Sequence, residues 1–386
     1  MESWDKAATE ANDELSCEQA VAQVGARSDE GSELMKKLLK AIHPKDKSRL
    51  VPFCYKCSRS IRVSLDIWGT PVIAMVGGPS AGKTCYTGAL WHQLICMTEN
   101  RPEQIVMTPF PAEGMTYLNS IRDDLVFKRQ IPIPTKFDLK EKKLQPCGIN
   151  IHSYTHNTNK PIVIYDIAGD AFTVGESATG DDLAQVSRIA QSCASYISED
   201  NVCGIVFMVD PYACPEISTK YKLPPLTDNQ SQGRVVFSQG ELLLRMASFL
   251  KLKQGLGLSD KIPRSIIISL TKLDIFLNQG LAAAINYREA YEDVREKLLD
   301  EALSSNLEWQ SFEELHLFAL KLFRVLGIQN LYDQAKEQFT DVHCFAISSF
   351  GHVPMWNRIL IEEVKPQAVE VPFLWHYKRA NRKELT

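Results

Sequence analysis

Five apolar residues, Val72-Ile73-Ala74-Met75-Val76, run straight into Gly77-Gly78-Pro79-Ser80-Ala81-Gly82-Lys83-Thr84, and no other stretch constrains the fold as strongly. The apolar run predicts a buried strand, and Cys85 to Met97 predicts a helix. Gly77 to Thr84 fits G-x-x-x-x-G-K-[ST] in the strand–loop–helix setting that this spacing requires. Glycines let successive backbone N–H groups turn inward as a nest, and the following helix adds its N-terminal dipole. Gly77, Gly78, Pro79, Ser80, Ala81, Gly82 and Cys85 are therefore expected to form a main-chain cradle for phosphate, with N–H donors from all but Pro79. Lys83 is expected to reach the terminal phosphates, and the Thr84 hydroxyl to ligate Mg²⁺. Pro79 stiffens the loop and gives up one N–H.

Two further strand ends carry polar residues of matching chemistry. The strand Ile162 to Tyr165 ends in Asp166-Ile167-Ala168-Gly169-Asp170. An acid there is suited to a water-bridged Mg²⁺ contact, and the Gly169 N–H to the approach of a terminal phosphate. The strand Arg264 to Leu270 leads into Thr271-Lys272-Leu273-Asp274. A carboxylate at such a strand end accepts both the N1–H and the 2-amino group of guanine, whereas adenine offers no donor at N1 and leaves the charge unpaired. Lys272 can lay its aliphatic stem across the base. The last sheet strand, Asp341 to Ile347, is followed by Ser348-Ser349.

The rest of the chain frames these stretches. Cys147 to Tyr154 alternates like an antiparallel edge strand, Ile105 to Met107 forms a short strand, and Gly204 to Val209 a buried one ending at Asp210-Pro211. Helices are expected over Ser32–Ile42, Met115–Leu125, Asp181–Ile197, Gly240–Leu252 and within 287–305 and 311–338, with an insertion loop over 211–239. The fold class is α/β: a three-layer P-loop arrangement, its sheet mostly parallel with one antiparallel edge strand, with helical insertions and a small N-terminal extension. The expected division is 1–61 for the extension, 62–355 for the main domain and 356–386 for an extended tail packed on the body.

Composition excludes several classes. With 45% hydrophobic and 23% charged residues, the 386-residue chain can bury a sizeable core. A formal net charge of −4 gives no basic footprint for nucleic acid. No stretch approaches the roughly 18 apolar residues of a membrane span. The acidic, polar start lacks the order of a signal peptide. Ten scattered cysteines favour reduced thiols and a cytoplasmic location over a disulfide framework. Cys54 and Cys57 form one CxxC, half of a four-ligand zinc site, which His43, Cys17 or a partner chain would have to complete; two unligated thiols are the simpler reading.

Taken together, Gly77–Thr84, Asp166–Gly169, Thr271–Asp274 and Ser348-Ser349 resemble the four motifs of the Ras-like (TRAFAC-type) P-loop GTPases, in the same order and at strand ends. The resemblance covers about residues 72–351. It implies a Mg²⁺-dependent switch that hydrolyses GTP to GDP and phosphate. In it Gly82, Lys83 and Thr84 hold phosphate and metal, Asp166 holds the metal through water, and Gly169 senses the γ-phosphate. Lys272 and Asp274 clamp guanine, and the backbone around Ser349 meets its carbonyl oxygen. Thr135 is the candidate for the family's switch threonine, a metal and catalytic contact. Asp170 stands where the family can carry a water-positioning glutamine, which implies slow intrinsic turnover and an activator or effector protein; Arg122, Arg129 and Arg188 are the candidate built-in fingers. Many such switches dimerise across the nucleotide face. The chain is also similar to the bacterial double-GTPase group found beside conflict or defence genes, in its GxxxxGKT entry, its Tyr165–Asp170 switch, its cysteine knuckle and its Pro366–Trp375 tail. Two other readings stay open. One is an ATP-using P-loop protein, which would need no Thr271–Asp274. The other is a nucleotide-holding scaffold in which Asp170 marks lost catalysis.

Overall fold

The computed structural model describes residues 53–54, 59–60, 70–78, 80–110, 112–132, 146–167, 172, 190–191, 193–223, 238–304, 309–353, 360 and 362–382. The chain divides into two compact units, Met1–Thr70 and Pro71–Thr386. In the first, an antiparallel ribbon pairs Phe53 with Ser60 and Cys54 with Arg59. Cys57 and the helix expected over Ser32–Ile42 lie outside the described residues.

The second unit is a three-layer α/β structure. Its strands are β1 (Val72–Gly77), β2 (Ile105–Phe110), β3 (Pro146–Ser153), β4 (Thr158–Asp166), β5 (Val202–Val209), β6 (Ile262–Leu270) and β7 (Phe339–Ala346). They form one sheet in the order β2-β3-β4-β1-β5-β6-β7. β4, β1, β5, β6 and β7 are mutually parallel, while β3 runs antiparallel to both β2 and β4. β1 and β5 are buried at every position, which is why both read as unbroken apolar runs rather than alternating ones. The antiparallel strand is therefore not the edge strand the alternation of Cys147–Tyr154 suggested. β2 lies outside it, pairing Ile105 through Phe110 with Ser153 through Gly148. Pro109 disguised the full length of β2; proline is tolerated there because an edge strand leaves alternate N–H groups unpaired.

The helices are α1 (Lys83–Glu99), α2 (Ala112–Arg122, continued by a π turn to Phe127), α3 (Pro215–Lys220), α4 (Gln239–Gln254), α5 (Asp274–Asn278), α6 (Ala282–Leu303), α7 (Gln310–Leu326), α8 (Gln329–Gln338) and α9 (Glu370–Arg382). α1 packs on β1 and β2, α9 packs on β5, α1 and α6, and α4 and α8 pack on each other and on β6. Gly327, at φ 82°, ends α7 and splits the long helical region into two. Ser238 and Glu241 form a reciprocal capping box that fixes where α4 begins. α3 occupies part of the segment expected to be an insertion loop; residues 224–237 lie outside the described residues.

The C-terminal segment is helical rather than extended. α9 opens at Glu370, so Pro372 falls in its first turn, where a missing N–H costs no helical bond. Val371, Phe373, Leu374, Trp375 and Tyr377 are all buried. His376 lies where a side chain on Gly204 would stand, and its Nε2 lies 3.2 Å from the Ile205 carbonyl oxygen. Burial lowers its pKa to about 3, so the ring is neutral. Two outward backbone donors of the outer strand β7 are covered: Cys344 N–H donates to His316 Nδ1 at 3.1 Å and Ala346 N–H to the Tyr287 hydroxyl at 3.1 Å. Among the described residues no helix is long and apolar enough to cross a membrane, and Cys85, Cys96, Cys147, Cys193, Cys203, Cys214 and Cys344 are unbridged.

Candidate functional site

The carboxyl ends of β4, β1, β5, β6 and β7 lie side by side, and the strand order reverses beside β1. Clefts for ligands form outside such strand ends, where the connections part company. Gly77 closes β1 where a Cβ would come within 2.8 Å of the Met208 carbonyl oxygen and 3.2 Å of the Ala81 Cβ, so only glycine fits. The loop then turns through two left-handed residues, Ser80 at φ 64° and Gly82 at φ 86°. A Cβ on Gly82 would meet nothing within 4 Å, so the positive φ rather than crowding requires glycine there. Helical bonding begins at once, with Tyr86 N–H donating to the Gly82 carbonyl at 2.8 Å.

Lys83 is buried, and its ammonium donates to the carbonyls of Gly77 at 2.9 Å and Gly78 at 3.2 Å. The lysine thus lies over its own loop, held by main-chain oxygens. The Thr84 hydroxyl donates to Asp166 Oδ2 at 3.4 Å, long for such a bond, whose usual length is about 2.7–2.8 Å. Parallel register puts Met75 opposite Asp166, and Ile167 N–H closes the pairing on the Met75 carbonyl at 3.1 Å. Hydroxyl and carboxylate oxygens are hard donors that suit Mg²⁺, which takes one or two protein ligands and completes its shell with water and phosphate. Among the described residues no group of three or more His, Cys, Asp or Glu could hold a metal ion by itself.

The other end of the row is made of side chains. Thr271 donates to the Val209 carbonyl from both its N–H and its hydroxyl, each at 3.0 Å. Lys272 is left-handed, at φ 59°. Its ammonium pairs with Asp210 Oδ1 at 2.7 Å and stands 4.7 Å from the centre of the Tyr212 ring. Asp274 is 3% exposed and accepts the Ser348 hydroxyl, which in turn accepts Gly351 N–H at 2.9 Å. Leu273 N–H donates to the Ile347 carbonyl at 3.0 Å, tying the two loops together. Burial raises the Asp274 carboxyl above its ordinary value, opposed by the Ser348 hydroxyl, its own backbone, Lys272 and His352.

Lys83, Thr84 and Asp166 therefore lie together, as do Lys272, Asp274 and Ser348. Ser349 is half-buried beside Ser348. Pro79, Thr135, Gly169, Asp170 and Arg188 lie outside the described residues. Arg122 is engaged with Asp123 at 2.8 Å at the end of α2. Arg129 is described just beyond that helix's π turn, its carbonyl accepting Leu360 N–H at 2.7 Å.

Sequence reasoning passed over Asp210. It ends β5 fully buried, its Oδ1 accepts both Lys272 and Tyr212 N–H, and its Oδ2 is buried without a partner. The signal was present: an acid closing the strand beside the one that feeds the glycine loop. Gln239 was passed over as well. It is 3% exposed, and its Nε2 lies 3.5 Å from where a Cβ on Gly78 would stand. No protein-family model matches the chain, and no curated protein matches it significantly.

Proposed function

We propose that this chain binds a guanine nucleoside triphosphate with Mg²⁺ and transfers its γ-phosphoryl group to water, acting as a switch of the Ras-like P-loop GTPase kind. The observation that carries the reading is the alignment of four sequence stretches along one row of parallel strand ends. The glycine loop follows β1, Asp166 ends β4, Thr271–Asp274 follows β6 and Ser348 follows β7.

In this reading the loop N–H groups and the α1 N-terminus cradle the phosphates, and Lys83 exchanges its two carbonyl partners for phosphate oxygens. Thr84 and Asp166 would hold Mg²⁺, which neutralises charge gathering on the β- and γ-oxygens. Lys272, steadied by Asp210, lies along one face of the base. Asp274, aimed by Ser348, accepts from the guanine edge. Gly169 and Asp170 follow directly on the Asp166 strand, so a γ-phosphate drawing them in, and its loss releasing them, supplies the switch. A protein partner that contributes positive charge would raise the rate.

The test is equilibrium binding and turnover of GTP against ATP on the full chain, with and without Mg²⁺. Mg²⁺-dependent binding that favours GTP at least about 100-fold, with release of phosphate, is the expected result. Equal affinity for ATP would remove the guanine reading, and GTP binding without any turnover would leave a scaffold in place of an enzyme.

A further inference from the structure

Asp210-Pro211-Tyr212 follow β5 and form a small device of their own beside Thr271–Asp274. Pro211 opens a single 3₁₀ turn, Pro211–Ala213, which starts from the extended Asp210. Proline presets the backbone angle of the turn, and the acid before it caps the turn. Asp210 Oδ1 accepts Tyr212 N–H at 3.1 Å, and the Asp210 carbonyl accepts Ala213 N–H at 3.0 Å. The same Oδ1 also receives the Lys272 ammonium at 2.7 Å. One oxygen thus ties the lysine to the backbone of the residue whose ring the lysine covers.

Lys272 is the partner that needs holding. Its backbone is left-handed, at φ 59°, a conformation that a residue with a Cβ keeps where its surroundings impose it. Its stem is long and flexible, so a stem left free would have to be ordered each time a ligand binds. Asp210 holds the ammonium by charge. The Tyr212 ring centre, 4.7 Å away, lies inside the reach of roughly 6 Å over which a ring face attracts a cation. The Lys272 side chain is 29% exposed and that of Asp210 fully buried. The grip therefore takes the ammonium and leaves part of the stem open to solvent. Burial raises the pKa of the Tyr212 hydroxyl, and so do the charges of Asp210 and Asp274, the two acids between which the ring stands.

We infer that Tyr212 is a positioning residue for the nucleotide base: with Asp210 it holds the Lys272 stem where it can lie across a purine. This role rests on the guanine-nucleotide reading above, and it is exercised through Lys272 rather than by contact with phosphate or metal.

Two readouts keep the grip and its use apart. In the nucleotide-free full chain, acetylation of Lys272 by an N-hydroxysuccinimide ester is followed by peptide mass spectrometry, with the exposed Lys253 as internal reference. Tyr212→Leu should raise the relative rate at Lys272 about fivefold, and Tyr212→Phe, which keeps the ring, should leave it within about twofold. In titrations, Tyr212→Leu should weaken GTP and GDP alike by about fivefold with the turnover rate at saturation unchanged, and Tyr212→Phe should keep the parent affinity. In a Lys272→Ala background, Tyr212→Leu should cost nothing more, whereas a merely structural role would persist there. Equal labelling in Tyr212→Leu and parent, a Phe variant as impaired as the Leu variant, or the same loss with and without Lys272 would overturn the inference. A parent chain that binds no guanine nucleotide, while Tyr212→Leu still frees Lys272, would overturn the guanine reading and the role at the base with it, leaving the grip alone.

Discussion

The two ends of the strand row are built by opposite means. At the β1 end the working parts are main chain: a glycine that cannot grow, two left-handed residues, and a lysine resting on carbonyls. At the β6–β7 end they are side chains locked to one another, Asp210 to Lys272 and Ser348 to Asp274. A main-chain cradle recognises charge and shape and is indifferent to most of the side chains that build it. In the proposed reading a side-chain lattice recognises one edge of one base, and each member depends on its neighbour. Substitutions should therefore have scattered effects at the first end and graded, propagating effects at the second.

Lys83→Ala should produce the largest effect and break the indifference of the first end at its one charged side chain. A loss of nucleotide affinity of about a thousandfold is expected, measured by fluorescent-nucleotide titration; retained binding would remove the phosphate-loop reading.

Next comes Asp274→Asn, with about a hundredfold loss of GTP affinity. The asparagine amide can donate to the 2-carbonyl of xanthine, so xanthosine triphosphate should now bind better than GTP in a competition assay. The parent carboxylate also has a pH signature. Its ionisation is postponed by burial, so in the nucleotide-free chain the protonated fraction grows as pH falls through that raised value. Binding needs the ionised form, so GTP affinity should fall with acidification, more steeply than for the asparagine variant.

Asp210→Asn separates the two ends further, because it touches no predicted phosphate contact. Freed from its ion pair, Lys272 loses its fixed stem, and about a tenfold loss is expected, shared by GTP and GDP alike. A loss confined to GTP would place Asp210 with the γ-phosphate instead.

Ser80→Gly should do least, within about twofold, since glycine occupies a left-handed position at no steric cost. A larger drop would mean that the Ser80 hydroxyl, and not only its backbone, takes part.

What could be read in advance divides along the same line. Gly77 to Thr84 was legible because backbone geometry leaves its mark in glycine spacing, and β1 and β5 because burial on both faces leaves unbroken apolar runs. Asp166 was legible as an acid closing an apolar strand, and Asp274 as one in the short polar stretch that follows another. Asp210 has the same signature, but its pairing with Lys272 joins positions 62 residues apart and shows only when β5 and β6 lie side by side. The antiparallel strand was recognised and misplaced, because alternation reports a strand and not its rank in the sheet. Prolines such as Pro366 and Pro372 suggest an extended tail, although the second falls where a helix has no N–H bond to lose.

The central place of β1 has a consequence for synthesis. It is the first strand of the sheet to be made, yet it is flanked by β4 and β5, which come much later in the chain. The Cys203 thiol that donates to the Val72 carbonyl is 131 residues downstream. At translation rates of roughly 5–20 residues per second, Val72 to Val76 wait on the order of ten seconds or more for their second neighbour. Until then the nascent chain carries an apolar strand with at least one edge bare, and Gly77 lacks the Met208 wall that shapes it. Chains arrested before Cys203 should accordingly be held by chaperones and bind no nucleotide, while those extended past β7 should be released and able to bind.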